Sequence, residues 1–415
     1  MKRLLRITLL GTLITFCLQY PVIAAEMSQK VPLELEKPSY VAPWKRYNKN
    51  ELRPWPQTDW KGFSDFRHEV RTPISSYQDI ETPIKGDPEN GKKLVANRKR
   101  GGGCVACHIL PDLSMPGNVG PDFSTIGAWK RPDAYLFNYI YDARQFNPNT
   151  NMPPWGAHKI LSEDEIKDIV AYLQTLTKKA DFKTPTDDPK KRPVPVETRD
   201  NLDEFENPAM FSVELGEELF ETPGSTGKSC QSCHAPKAFT TWAATMPKFE
   251  TRLNKIIGIE EFVTRHARVT TGAEYLAQSE ENLALAIYLN YLANGQAIAI
   301  DQRDANTQAA IKRGKALMER KIGQLNRSCA SCHVENAEKW IRGQYLVHRE
   351  GMYAHFPTYR TSRGAIWDIR KRIQWCGVSI RANELPPDAP EYGDIEIYLA
   401  TLNNGHILSV PGVGH

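Results

Sequence analysis

One short motif occurs three times in the chain: Cys104-Val105-Ala106-Cys107-His108, Cys230-Gln231-Ser232-Cys233-His234 and Cys329-Ala330-Ser331-Cys332-His333. Six of the eight cysteines belong to these pairs; Cys17 lies near the N-terminus and Cys376 is left over. Disulfides or zinc would account for paired thiols. Neither explains a histidine placed directly after every pair. Covalent haem attachment does, because the two thiols add to the two vinyl groups and the adjacent imidazole reaches the iron. The motifs therefore predict three haem c groups, attached through Cys104 and Cys107, Cys230 and Cys233, and Cys329 and Cys332, with His108, His234 and His333 as iron ligands.

A similar pattern surrounds each motif, as in a repeated unit. A helical segment precedes it, at about 87–97, 211–220 and 307–321. A long loop and a closing helix follow, at about 162–177, 279–292 and 390–402. Ser162 and Glu165 form a capping box at the first closing helix, and all three carry a Tyr-Leu pair: Tyr172-Leu173, Tyr288-Leu289 and Tyr398-Leu399. The expected fold is mainly α, with three cytochrome c class I-like haem domains in tandem and extensive loops. The 29 prolines and 27 glycines suit such loops and leave little room for long strands. The expected organisation is a Pro/Trp-rich extension over 26–79, domains over 80–178, 205–302 and 303–415, and a Lys/Asp/Pro-rich linker over 179–204.

Residues 1–25 read as a secretory signal peptide. Lys2, Arg3 and Arg6 precede an apolar run over 7–16, and Val22-Ile23-Ala24-Ala25 offers small residues for cleavage. The run is too short to span a bilayer, and no other segment reads as a membrane span, so the expected location is the periplasm. Removing the three basic signal residues takes the formal charge from +4 to +1 (4 − 3), which gives no reason to expect a nucleic-acid partner.

The tyrosines serve as rulers for a second iron ligand. Met152, in Asn-Met-Pro-Pro, lies twenty residues before Tyr172 (172 − 152) and is expected in preference to Met115, which follows its motif closely. In the second domain His266 lies twenty-two before Tyr288 (288 − 266), with Met246 as the alternative. In the third domain the same slot, twenty-two before Tyr398 (398 − 376), holds Cys376. A thiolate there would lower the haem potential and leave a sulfur nucleophile at a redox centre.

These residues carry a family resemblance. The stretch from Gly323-Gln324-Leu325-Asn326 through Cys332-His333, then Phe356-Pro357-Thr358-Tyr359-Arg360, Arg372, Cys376 and Ser379-Ile380-Arg381-Ala382, resembles the catalytic haem domain of SoxA. The region from Asn207-Pro208 to His234 resembles the N-terminal haem domain of dihaem SoxA. Gly103-Cys104 to His108, Pro116 to Pro121 and Met152-Pro153-Pro154 resemble SoxX, so the chain looks like a SoxX–SoxA fusion. The resemblance implies oxidative joining of thiosulfate to a cysteine of a SoxY-type carrier protein, with electrons leaving through the haems to a small cytochrome c acceptor. It implies that Cys376 is the active-site sulfur, often a persulfide in the family, and that Arg372 is its active-site arginine. Two departures stand out. Leu402 occupies a place where the family usually has an arginine, so Arg381 or Arg360 would have to help hold the anion. His266 sits where dihaem SoxA has a cysteine ligand. Thiosulfate dehydrogenase and a non-catalytic electron-transfer protein are the competing readings.

Overall fold

Each haem motif lies between helices whose ends are set by local chemistry. The computed structural model describes residues 31–38, 40, 65–67, 72–97, 103–194 and 202–414. The expected signal peptide and parts of the extension and linker lie outside these residues.

In the first unit, α1 (Pro88–Ala96) begins on Asp87, whose carboxylate accepts the Glu89 N–H, and proline fits its first turn. It is followed by α2 (Asp133–Tyr141) and by α3 (Glu163–Thr175), which opens on the complete Ser162–Glu165 capping box. The second unit contains α4 (Met210–Glu221), a hairpin of β1 (Lys248–Glu250) and β2 (Lys255–Ile257), α5 (Ile259–Thr270) and α6 (Glu280–Tyr291). The third contains α7 (Ala305–Glu319), α8 (Cys329–His333) and a short hairpin, β3 (Trp340–Ile341) with β4 (Gln344–Tyr345). Next come β5 (Thr358–Arg360), β6 (Ala365–Trp367), α9 (Ile369–Ser379), α10 (Pro390–Leu402) and β7 (Gly412–Gly414). β6 runs antiparallel and β7 parallel to β5, with Thr358 opposite both Trp367 and Gly412. The fold is mainly helical.

In each unit the first helix crosses the last at a glycine. A Cβ on Gly91 would collide with the Asp168 carbonyl and the Tyr172 side chain; one on Gly216, with the Ala284 carbonyl and Tyr288; one on Gly314, with the Asp394 carbonyl and Tyr398. The tyrosines that serve as rulers in the sequence are thus the residues against which these glycines pack.

The units do not sit apart. Ile397, Ala400, Leu408 and Val410 of the third unit join the hydrophobic core of the second, and Leu325 joins that of the first. A buried ion network crosses between α5 and α9. Arg370 pairs with Glu261 at 2.8 Å and with Glu396 at 2.6 Å, while Glu261 also meets Lys255 at 2.6 Å and Arg265 at 2.9 Å. The described part of the linker is docked as well. Buried Arg192 donates to the Pro116 and Arg342 carbonyls and lies over the Trp340 ring at 4.8 Å.

Candidate active site

Cys104, Cys107, His108 and Met152 line one cavity of about 490 Å³. This is within the range of small-molecule and cofactor sites. His108 stacks on Phe123 with ring centroids 4.0 Å apart, and its Nδ1 lies 2.9 Å from the Pro121 carbonyl. A carbonyl only accepts, so Nδ1 carries the proton and Nε2 keeps its lone pair for a metal. Burial holds the imidazole down to about 4, so it is neutral at physiological pH. A Cβ on Gly120 would strike the ring, so only glycine fits beside it. Met115 is placed elsewhere, its side chain against Gly343.

In the second unit His234 and His266 face one another with ring centroids 5.9 Å apart. That spacing leaves room for an iron between two nitrogens, each about 2 Å from it. His266 Nδ1 lies 2.7 Å from the Pro32 carbonyl and its ring stacks on Phe262 at 5.1 Å. Met246, the alternative, is 3% exposed inside the hydrophobic core.

The third cavity, of about 440 Å³, is lined by Cys332, His333 and Cys376, and by Arg327, Arg342, Arg360 and Arg372. His333 Nδ1 is held by the Val347 carbonyl at 2.9 Å, as in the first unit. Burial pushes the Cys376 thiol up, but Arg372, a hydrogen bond with His333 and Arg360 more than reverse this, to about 7. Four of the attachment thiols shift the other way. Burial raises Cys104 to about 12 and Cys332 to about 11, and it also raises Cys230 and Cys329. The leftover cysteine is thus shifted toward its thiolate, and it lies among cations.

Arg381 does not join this cavity. It is 4% exposed and donates to Gln324 Oε1 at 2.5 Å, so it serves the junction near the first unit. Arg381, expected as an anion-binding residue, is thus not among the cavity's arginines, whereas Arg360 is. Leu402 packs on the core of the third unit, away from the cavity.

Two features were missed in the sequence. Arg327 lines both the first and third cavities, with Nη2 3.5 Å from Cys107 Sγ and Nε donating to the Asn151 carbonyl at 3.2 Å. It stands two residues before Cys329, where only tertiary docking brings it against the first motif. The second is an exact-offset duplication, visible once the hairpins are paired. Adding 110 carries β1 (248–250) onto β5 (358–360), β2 (255–257) onto β6 (365–367), and Tyr288 onto Tyr398. The same offset carries Glu250 onto Arg360, Phe262 onto Arg372 and His266 onto Cys376. One frame presents a sulfur with two cations; the other presents an imidazole with a phenyl ring and a carboxylate.

Residues 215–298 and 313–408 match the model of the SoxA/TsdA cytochrome c domain, and residues 86–173 match that of the cbb3-type cytochrome c oxidase subunit III. The chain is 33% identical over 223 residues to the L-cysteine S-thiosulfotransferase subunit SoxA of Pseudaminobacter salicylatoxidans, covering 52% of this chain and 77% of that protein. It is 31% identical over 220 residues to the corresponding subunit of Paracoccus pantotrophus, covering 52% and 74%. The chain belongs to the SoxA family. With a cytochrome c domain ahead of the SoxA part, it has the arrangement of a SoxXA-type fusion. The crystal structure of SoxXA from P. pantotrophus aligns at a TM-score of 0.48 and 28% identity, over 51% of this chain and 81% of that one. Cytochrome c domains hold haem c covalently. The residues here fit that group: thiol pairs, His108 and His333 with Nδ1 satisfied by a carbonyl, Met152 lining the cavity of His108, and His266 and Cys376 against His234 and His333.

Proposed function

We propose that this chain is an L-cysteine S-thiosulfotransferase that joins thiosulfate to a cysteine of a SoxY-type carrier protein. The observation that carries the reading is Cys376, the ionisable thiol of the third cavity, facing His333 with Arg372 and Arg360 beside it. The SoxA relatives bearing that activity in their names support it.

In the reaction, a sulfur–sulfur bond forms between the carrier cysteine and the terminal sulfur of thiosulfate. The carrier thiol gives up its proton, and two electrons leave. Haem c, when bound, supplies the one-electron acceptance this needs, with a small cytochrome c as the final acceptor. Arg372 and Arg360 hold the dianion through charge-assisted hydrogen bonds. Against burial, which disfavours the charge, Arg372 and Arg360 favour Cys376 as thiolate, the form that attacks sulfur.

Three haem c groups occupy the chain in this reading, one per Cys-x-x-Cys-His motif. Their second ligands are Met152, His266 and Cys376. Arg327, common to the first and third cavities, marks a short route between those two centres. The second unit presents Phe262 and Glu250 in place of the two arginines, so it offers no equivalent anion site. The signal peptide would send the chain to the periplasm, and among the described residues no helix is long and apolar enough to cross a membrane.

The test incubates the three-haem protein with thiosulfate, an oxidised cytochrome acceptor and a SoxY-type carrier, and weighs the intact carrier. A mass gain of one thiosulfonate, absent with Cys376→Ala, is expected. An unmodified carrier with tetrathionate in solution would replace this reading with thiosulfate dehydrogenase.

A further inference from the structure

We infer that residues 31–36 of the N-terminal extension are a working part of the second haem site: they form a strap whose Pro32 carbonyl fixes the tautomer and aim of His266. This rests on the reading of His266 as an iron ligand.

The strap is anchored along its length. Arg252 Nη1 donates to the Val31 carbonyl at 2.7 Å, and Arg265 Nη1 donates to the carbonyls of Glu34 and Glu36 at 2.8 and 2.7 Å. The Glu34 N–H returns a bond to the Arg265 carbonyl at 3.2 Å, and Leu33 is buried at 9% exposure. Between these anchors the Pro32 carbonyl meets His266 Nδ1 at 2.7 Å. The carbonyl can only accept, so the imidazole is held with Nε2 unprotonated toward His234.

The duplication shows that the third unit does not repeat these two arginines. The same offset of 110 carries Arg265 onto Trp375 and Arg252 onto Ser362, neither of which could grip a passing backbone in this way. Glu250, in the place of Arg360, orients Arg252 through bonds of 2.7 and 2.8 Å. The unit that exchanged a substrate arginine for a carboxylate therefore uses that carboxylate to hold the strap. Where the third unit has a sulfur ligand that needs no second partner, the second has an imidazole, and imidazole ligands owe their orientation and donor strength to the bond at the other nitrogen. Pro32 thus acts as a positioning residue through its backbone.

The experiment uses the full-length three-haem protein and compares Leu33→Asp, which lifts the strap, with His266→Ala. Readouts are the ferric electron paramagnetic resonance spectrum, carbon monoxide binding to the ferrous form, and the midpoint potentials. Persistence of the methionine- and cysteine-ligated signals shows that the rest of each variant is folded. Lost hydrogen-exchange protection at the Glu34 amide shows that the strap has lifted, and Leu33→Gly with Arg252→Met serves if Leu33→Asp does not accumulate. His266→Ala is expected to abolish the bis-histidine signal and open a carbon monoxide site. Lifting the strap is expected to raise the potential of that haem and let carbon monoxide bind a fraction of it. If His266→Ala changes nothing, the ligand reading fails and the inference with it. If His266→Ala has its effect but the lifted strap leaves potential and carbon monoxide binding as in the parent, His266 is a ligand and the strap merely packs.

Discussion

Arg370 joins the two SoxA-type units, and its removal has a calculable cost. The residue is 3% exposed and donates to Glu396 at 2.6 Å, Glu261 at 2.8 Å, and the carbonyls of Pro387 at 3.0 Å and Ile256 at 3.3 Å. In Arg370→Met the pair with Glu261 across the interface is lost, although Glu261 keeps Lys255 and Arg265, and Glu396 within the third unit loses the cation that pairs with it. Breaking a buried pair by removing one partner costs about 3–5 kcal/mol, because the other charge stays desolvated. The second and third units share a core, so they are expected to melt together. For a folding unit of roughly 150–250 residues, Tm falls about 2–4 °C per kcal/mol. The expected drop is therefore roughly 6–20 °C, read by far-ultraviolet circular dichroism of the three-haem protein. Replacing Glu396 by Met as well is expected to recover most of the loss, since an apolar pair leaves no orphaned charge. A single variant melting within about 2 °C of the parent, or a double variant less stable than the single one, would refute the assignment of the network as a buried clamp.

Arg372→Gln is expected to lower kcat/KM for thiosulfate about 10- to 100-fold, the worth of a hydrogen bond to a charged group; unchanged steady-state kinetics would remove it from the anion site. Met152→Ala is expected to open the first haem to carbon monoxide while Met115→Ala does not, as followed by ferrous absorbance spectra. His158, 3% exposed, is held down to about 4 by burial, so its neutral form is the folded one. The unfolded chain takes up a proton below about 6.5 and the folded chain only near 4, so its contribution is present above that window and lost as pH falls through it. The loss amounts to roughly 3 kcal/mol. Urea titrations between pH 7 and pH 4 are expected to show a shallower decline for His158→Asn than for the parent.

Much of the chemistry was legible because haem attachment is written in contiguous residues. Three Cys-x-x-Cys-His motifs name their thiols and proximal histidines without reference to the fold. The first closing helix announces itself through the Ser162–Glu165 capping box, and in the structure Asp87, Ser279 and Asp304 cap others of the flanking helices through bonds a few residues away. The tyrosine ruler pointed to His266 and Cys376 because the second and third units keep one constant offset from the hairpin at 248–257 to the closing helix, so sequence distance stands in for position there.

The choice between arginines was not legible in the sequence. Arg381 and Arg360 are equally plausible in the sequence, both within reach of Cys376 along the chain. The turn after α9 directs Arg381 into the junction with Gln324, whereas strand pairing brings Arg360 beside Cys376. Arg327 and Pro32 were invisible for a related reason: each acts on a motif far away in the chain, Cys107 and His266 respectively. The sequence by itself marked the three haem motifs and the helices that open and close each unit, because those signals are contiguous, but not α2, α5 or α9. Only the tertiary structure brought arginines around Cys376 and the Pro32 carbonyl to His266, because charge and hydrogen bonding act through space and take no account of chain distance.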